Sequence, residues 1–182
     1  LTPALRSSHQ DPQLLALVGE SYMQNKEFEK ASEFFEKANE LLPENAALHT
    51  ALALSKLGQG NRESAIAELE TAANLDEQSP RAGVLLVMAH LQTRDFNKAL
   101  KAAEELEKDQ ADSPLVQNLK GSIYVGMKDL AKARASFEKA LTLKRDYFPA
   151  ISNLARLDIQ EGKIEQAKQR FEEILKQDKK HI

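Results

Sequence analysis

The chain has 182 residues, 42% of them hydrophobic and 29% charged, with a net charge of −3. That apolar share is too high for a disordered chain, and acids and bases are interspersed, so no basic face offers itself to nucleic acid. The lack of cysteine excludes disulfides, thiolate zinc sites and thiol nucleophiles, and no apolar run approaches the roughly 20 residues needed to enter and cross a bilayer, so no direct membrane insertion is expected.

Ala, Leu, Glu and Lys dominate, residues that lose little freedom in a helix, so the chain reads as all-α. Residues 1–11 form a lead-in, the end of a preceding repeat or a linker. The first residue is Leu1 and no signal-peptide pattern follows, so the chain is expected to be a segment of a longer protein. From Pro12 onward the pattern is helix, short turn, helix, over units 12–45, 46–79, 80–113, 114–147 and 148–181. Pro12, Pro43, Pro80, Pro114 and Pro149 stand at the unit junctions, where a missing N–H is tolerated in a first helical turn. Gly60 and Gly162 fall between the two halves of a unit, and Asn61, Asp95 and Asp129 follow that turn as caps for the second helix.

The units share one register. Ala31, Ala65, Ala99, Ala133 and Ala167 recur every 34 residues. Gly19, Ala53, Val87, Gly121 and Ala155 hold a small-residue place at the same interval, and Phe35, Leu69, Ala103, Phe137 and Phe171 a mostly bulky one. Small residues let two helices approach closely, so Gly or Ala of the first helix is expected against Ala of the second. Leu15, Tyr22, Phe28 and Phe35 then fill the gaps toward neighbouring hairpins, and stacking of hairpins supplies the stability.

In the first unit Leu15, Val18, Gly19, Tyr22, Ala31, Phe35, Ala38 and Pro43 occupy the places of a tetratricopeptide repeat (TPR), and the chain resembles a TPR array over residues 12–181. The resemblance implies a right-handed α-solenoid of five helix-turn-helix units that binds protein or peptide. Departures are His49, Lys56 and Arg62 in the second unit, and Gly83, Ala103 and Leu106 in the third, where Leu106 either fills the space the smaller residues leave or the middle packs loosely. The stretches NLKGSIYVGMKDLAKARASFEKAL and YFPAISNLARLDIQEGKIEQAKQRFEEIL are also similar to the TPR-repeat lipoprotein of the bacterial PEP-CTERM/exosortase system. That narrower resemblance implies a bacterial cell envelope or periplasmic location and a role in export or polysaccharide assembly.

The TPR resemblance places the first helices along a concave groove. One row of groove positions holds Met23, Leu57, Leu91, Val125 and Ile159; a second holds Glu20, Leu54, Met88, Ser122 and Arg156; a third includes Val84 and Asn118. Apolar Leu54, Leu57, Val84, Met88 and Leu91 suit an apolar helix or extended segment, with the polar residues setting register. The first row has an alternative role, packing between neighbouring first helices. Ala16 with Glu20, Thr50 with Leu54 and Val84 with Met88 stand where chaperone-binding TPRs carry their carboxylate-gripping Lys and Asn, so chaperone tails are poor ligands.

No catalytic residue, cofactor or metal is expected. His9, His49, His90 and His181 are widely spaced, although His49 and His90 stand on first helices of adjacent units and a shared metal is conceivable. Glu33–Lys37 and Glu104–Lys108 read as i, i+4 ion pairs, and Lys176, Lys179 and Lys180 as a solvated basic end. The leading expectation is therefore a non-enzymatic protein-binding scaffold. The alternative is a structural spacer, or homo-oligomerisation through exposed repeat ends.

Overall fold

The computed structural model describes residues 11–76 and 79–178, the last five as backbone. The lead-in before Asp11, His9, His181 and the basic group at Lys176, Lys179 and Lys180 lie outside the described side chains. Among the described residues there are ten helices and no strand. They are α1 (Pro12–Gln24), α2 (Phe28–Leu41), α3 (Ala46–Gly58), α4 (Arg62–Leu75), α5 (Pro80–Gln92), α6 (Phe96–Asp109), α7 (Pro114–Gly126), α8 (Leu130–Leu143), α9 (Phe148–Gln160) and α10 (Ile164–Asp178).

Local chemistry explains the helix ends. Asp11 Oδ1 accepts from the N–H of Gln13 at 2.9 Å and opens α1, and Asn45 does the same for α3 through Ala47 at 3.0 Å. Asn61, Asp95 and Asp129 each accept a backbone N–H in the first turn of α4, α6 and α8, as their position after the turn predicts. The turn within each hairpin requires one left-handed residue. Gly60 and Gly162 supply it at φ 81° and 78°, but Lys26, Arg94 and Lys128 occupy the same place in the other hairpins at φ 62°, 59° and 64°. A residue with a Cβ costs roughly 1–2 kcal/mol there, a strain the flanking helix packing must offset.

Contacts divide the chain into two compact units, Leu1–Ala89 and His90–Ile182, with the boundary inside α5. In the first, α1 packs on α2, α2 on α3 and α3 on α4, while α1 also touches α3. In the second, α6, α7, α8, α9 and α10 pack consecutively, and α7 touches α9. In both, neighbouring first helices lie side by side.

The repeated alanines are at the heart of this packing: Ala31, Ala65, Ala99 and Ala133 are fully buried and Ala167 nearly so. The small-residue place works differently from the expected Gly–Ala contact. A Cβ on Gly19 would stand 2.8 Å from the Phe35 ring, and one on Gly121 would collide with Phe137, so the glycines make room for the aromatic ring of their own hairpin. Phe35 and Phe137 are almost completely buried, each contributing about 1.5–3 kcal/mol. Phe35 clusters with Ala31 and Leu52 of the next hairpin, and Phe137 with Ala150, Leu154 and Leu157. A second glycine contact joins successive hairpins. Gly58 at the end of α3 accommodates Phe28 at the start of α2, and Gly126 at the end of α7 accommodates Phe96 at the start of α6.

Two ion pairs read from the sequence form otherwise. Lys37 lies over the Phe34 ring at 5.3 Å instead of meeting Glu33, and Lys108 pairs with Glu105 at 2.5 Å instead of Glu104. In each case a partner three residues away is reached, by a cation–π contact in one and an i, i+3 pair in the other.

The Gly58 contact generates a stability test. Gly58→Ala is expected to cost about 1–3 kcal/mol by overpacking against Phe28. Combining it with Phe28→Leu, which removes the colliding ring, is expected to give a smaller loss than the two single losses summed. Urea melts of the four proteins of this cycle measure the coupling; simple additivity would show that the ring and the missing Cβ do not compete for the same space.

Candidate partner-binding surface

The side-by-side first helices carry, within each unit, the positions that the repeat resemblance assigns to an inner face. In the first, Glu20 is exposed, Leu54, Leu57 and Val84 are half-buried, and Met88 is 45% exposed. Met23 is half-buried against Ala31, Phe35 and Leu52, so it contributes to the hairpin core as well as to the inner surface. In the second, Leu91 and Ser122 are half-buried, Arg156 is exposed, and Val125 and Ile159 are 39% and 54% exposed. Asn118 is buried, and its Oδ1 accepts from Asn153 Nδ2 at 3.0 Å, tying α7 to α9. The Ser122 hydroxyl donates to the Asn118 carbonyl at 3.1 Å. Glu20 and Arg156 form no ion pair among the described residues.

Two of the polar departures in the repeat pattern, His49 and Lys56, are held in a network. In the second hairpin Lys56 Nζ lies 3.0 Å from Glu68 Oε1 and 3.5 Å from Glu36 Oε1, while His49 Nδ1 lies 2.7 Å from Glu68 Oε2 and its Nε2 3.0 Å from the Pro43 carbonyl. His49 is thus engaged by its own hairpin and the preceding turn. Among the described residues no three His, Asp or Glu side chains are grouped to hold a metal ion. In the last hairpin the fully buried Asp158 meets Arg134 Nη1 at 2.8 Å and Arg170 Nε at 2.6 Å. Between α6, α7 and α8, Glu107 accepts from Gln117 at 2.6 Å, Lys120 at 2.5 Å and Lys139 at 3.0 Å.

These surroundings set the protonation of three carboxylates. Burial pushes Glu68 up, but hydrogen bonds from His49 and Lys56 outweigh it and hold the carboxyl below its ordinary value. Burial likewise opposes ionisation of Asp158, and Arg170 and Arg134 overcome it. At Glu107 the Lys120 hydrogen bond is the largest influence; with Gln117 and Lys139 it holds the group at about 2.

Residue patterning carried a signal for part of this. Lys56 and Glu68 occupy the same two repeat places as Asp158 and Arg170, with the charges exchanged, and Tyr22 and Phe34 occupy them in the first hairpin, where their rings stack at 5.5 Å. The Glu107 network and the Asn118–Asn153 bond join successive hairpins and show no such repetition.

Because Glu107 is more acidic when folded than its ordinary 4.5, its ionised form stabilises the fold above that value. This contribution is lost as pH falls toward about 2, because the unfolded chain takes up the proton first. Partial exposure reduces it to on the order of 1–2 kcal/mol. Thermal melts between neutral pH and pH 2 should show a shallower acid decline for Glu107→Gln than for the parent; identical slopes would remove Glu107 from the account.

The chain matches known proteins at two levels. A tetratricopeptide repeat family model covers residues 56–123 and 124–182, and a second tetratricopeptide repeat model covers residues 12–45. Among solved structures, residues 41 to the end of MamA from Desulfovibrio magneticus RS-1 superpose with a TM-score of 0.76 at 14% identity, over 93% of this chain and 96% of that one. PilF of Pseudomonas aeruginosa gives 0.75 at 23% identity, over 91% and 75%. A thermophilic TPR protein of Thermus thermophilus, TTC0263, gives 0.69 at 20% identity, over 92% and 91%. No curated protein sequence matches. At these identities the structures share the fold, an array of paired helices, and the repeat register carries the rest. The family models account for most of the sequence, and the chain belongs to the tetratricopeptide repeat family.

Proposed function

We propose that the chain is a protein-interaction scaffold that holds a segment of a partner protein on the inner faces of its first helices. One observation carries this reading: at inner positions, apolar side chains that the hairpin cores do not need stay open to solvent, above all Met88, Val125 and Ile159. An unbranched Met adapts to varied apolar shapes, which suits a surface that accepts a segment of another chain. Glu20 in the first unit and Arg156 in the second, both exposed and without ion-pair partners among the described residues, each leave their own unit's face open to an opposite charge on a bound segment. The similarity of the last two repeats to the lipoprotein of the PEP-CTERM/exosortase system supports a partner in the bacterial cell envelope, within an export or polysaccharide assembly.

The inner-face reading is tested with Leu54→Glu combined with Met88→Glu. Photo-crosslinkers at Leu57 and Val84 identify what the parent chain captures from separated envelope and cytosolic fractions of the source cell. The double variant is expected to lose at least tenfold of that crosslinking while its circular dichroism stays unchanged. Undiminished crosslinking, or a crosslinked partner found only outside the envelope, would respectively remove the inner face or the envelope from the proposal.

A further inference from the structure

The first unit carries a cleft of about 630 Å³ where the ends of two second helices meet the turn between hairpins, and none of the inner-face residues named above lines it. Its apolar wall contains Leu41, Leu42 and Leu75, which are 43%, 41% and 39% exposed. Its polar rim is acidic. Glu44 and Asp76 line it, and among the described residues no Lys, Arg or His does. Asp76 Oδ1 accepts from the Ser79 N–H, and among the described residues its other oxygen has no hydrogen-bond partner and Glu44 forms no ion pair.

Helix polarity adds to that charge. α2 ends at Leu41 and α4 at Leu75, both at the cleft, and neither has a basic residue in its last turn. The carbonyl ends of both helices therefore present negative poles beside two carboxylates, with no basic residue of their own last turns to offset them. Among the described residues the helix that begins at the cleft is α3, and its positive pole is already answered by the Asn45 cap. An anionic lipid surface or a nucleic acid would be repelled; a cation on an apolar stem would be held at both ends.

We propose that this cleft docks a partner segment that presents leucine-type side chains alternating with lysine or arginine, such as one face of a cationic amphipathic helix. The leucines of the segment cover Leu41, Leu42 and Leu75, and its cations lie against Glu44, Asp76 and the two helix ends. This site is independent of the inner-face reading, because it uses second-helix termini and a turn.

The test uses the 182-residue chain and a fluorescein-labelled synthetic helix of leucine and lysine, read by fluorescence polarisation, with a leucine–glutamate helix as counterpart. The leucine–lysine helix is expected to bind saturably at one site and more weakly as salt rises, and the counterpart not to bind. Glu44→Lys with Asp76→Asn, and separately Leu41→Ser with Leu75→Ser, should each weaken binding at least tenfold. Glu138→Lys with Asp146→Asn removes the same charge elsewhere and should change it less than twofold, and the Leu54→Glu, Met88→Glu variant should bind as the parent does. If Asp76→Asn lowers the melting temperature, Glu44→Lys alone serves as the charge arm. Absent saturable binding, equal loss in the Glu138 control, or loss in the Leu54 and Met88 variant would each overturn the proposal. So would sedimentation showing that the leucine variants abolish self-association and leave peptide binding intact, since a second copy would then be the occupant.

Discussion

A phenylalanine ring lying where a glycine leaves no side chain draws two helices together in this chain, and it is used in two directions. Within a hairpin, Gly19 receives Phe35 and Gly121 receives Phe137. Between hairpins, Gly58 receives Phe28 and Gly126 receives Phe96. Each ring fills space that any Cβ would contest, so backbone separation and side-chain size are set together. The fully buried alanines beside the rings hold that separation along the helix. At the places of Phe28 and Phe96, the second and fourth repeats carry Arg62 and Leu130, and the first helices that follow carry Gln92 and Gln160 in place of glycine. Glycine stands there only where an aromatic ring precedes it.

With that spacing fixed, the contact between the first helix of a hairpin and its second can be made in several chemistries. Tyr22 and Phe34 stack, Lys56 and Glu68 pair, and Asp158 and Arg170 pair with the polarity reversed. A buried charge such as Asp158 adds little net stability when paired, but leaving one partner alone is strongly unfavourable. The exchanged charges therefore disfavour mismatched pairing of hairpins, since Lys56 set against Arg170, or Glu68 against Asp158, would leave like charges together. Glu107 extends the same principle across hairpins by joining α6 to α7 and α8.

Because the core is met by a fixed subset of places in each repeat, the remaining places are free to vary. The inner positions change from Glu20 through Leu54 and Met88 to Ser122 and Arg156 without disturbing a buried ring or alanine. The ends of the second helices vary likewise: Leu41 and Leu75 stay open where α2 and α4 stop, whereas α6 ends with Lys108 in its last turn. One architecture thereby offers two kinds of surface, an inner face of side chains and an edge of helix termini.

The periodic part of this structure was readable in the amino-acid order. Helix pairs, their caps at Asn61, Asp95 and Asp129, and the left-handed turns at Gly60 and Gly162 all rest on interactions within a few residues, and such interactions leave a mark at the 34-residue interval in several of the units. Lys26, Arg94 and Lys128 adopt the same turn without glycine, because packing of the two flanking helices imposes a conformation their own preference opposes. Which side chain meets Gly19, which carboxylate receives His49, and how Leu41 comes to share a cleft with Leu75 depended on tertiary structure. Those contacts join residues on different helices, and the helical period specifies the face a residue occupies, whereas its partner is selected by the size and charge of whatever the neighbouring helix brings to that face.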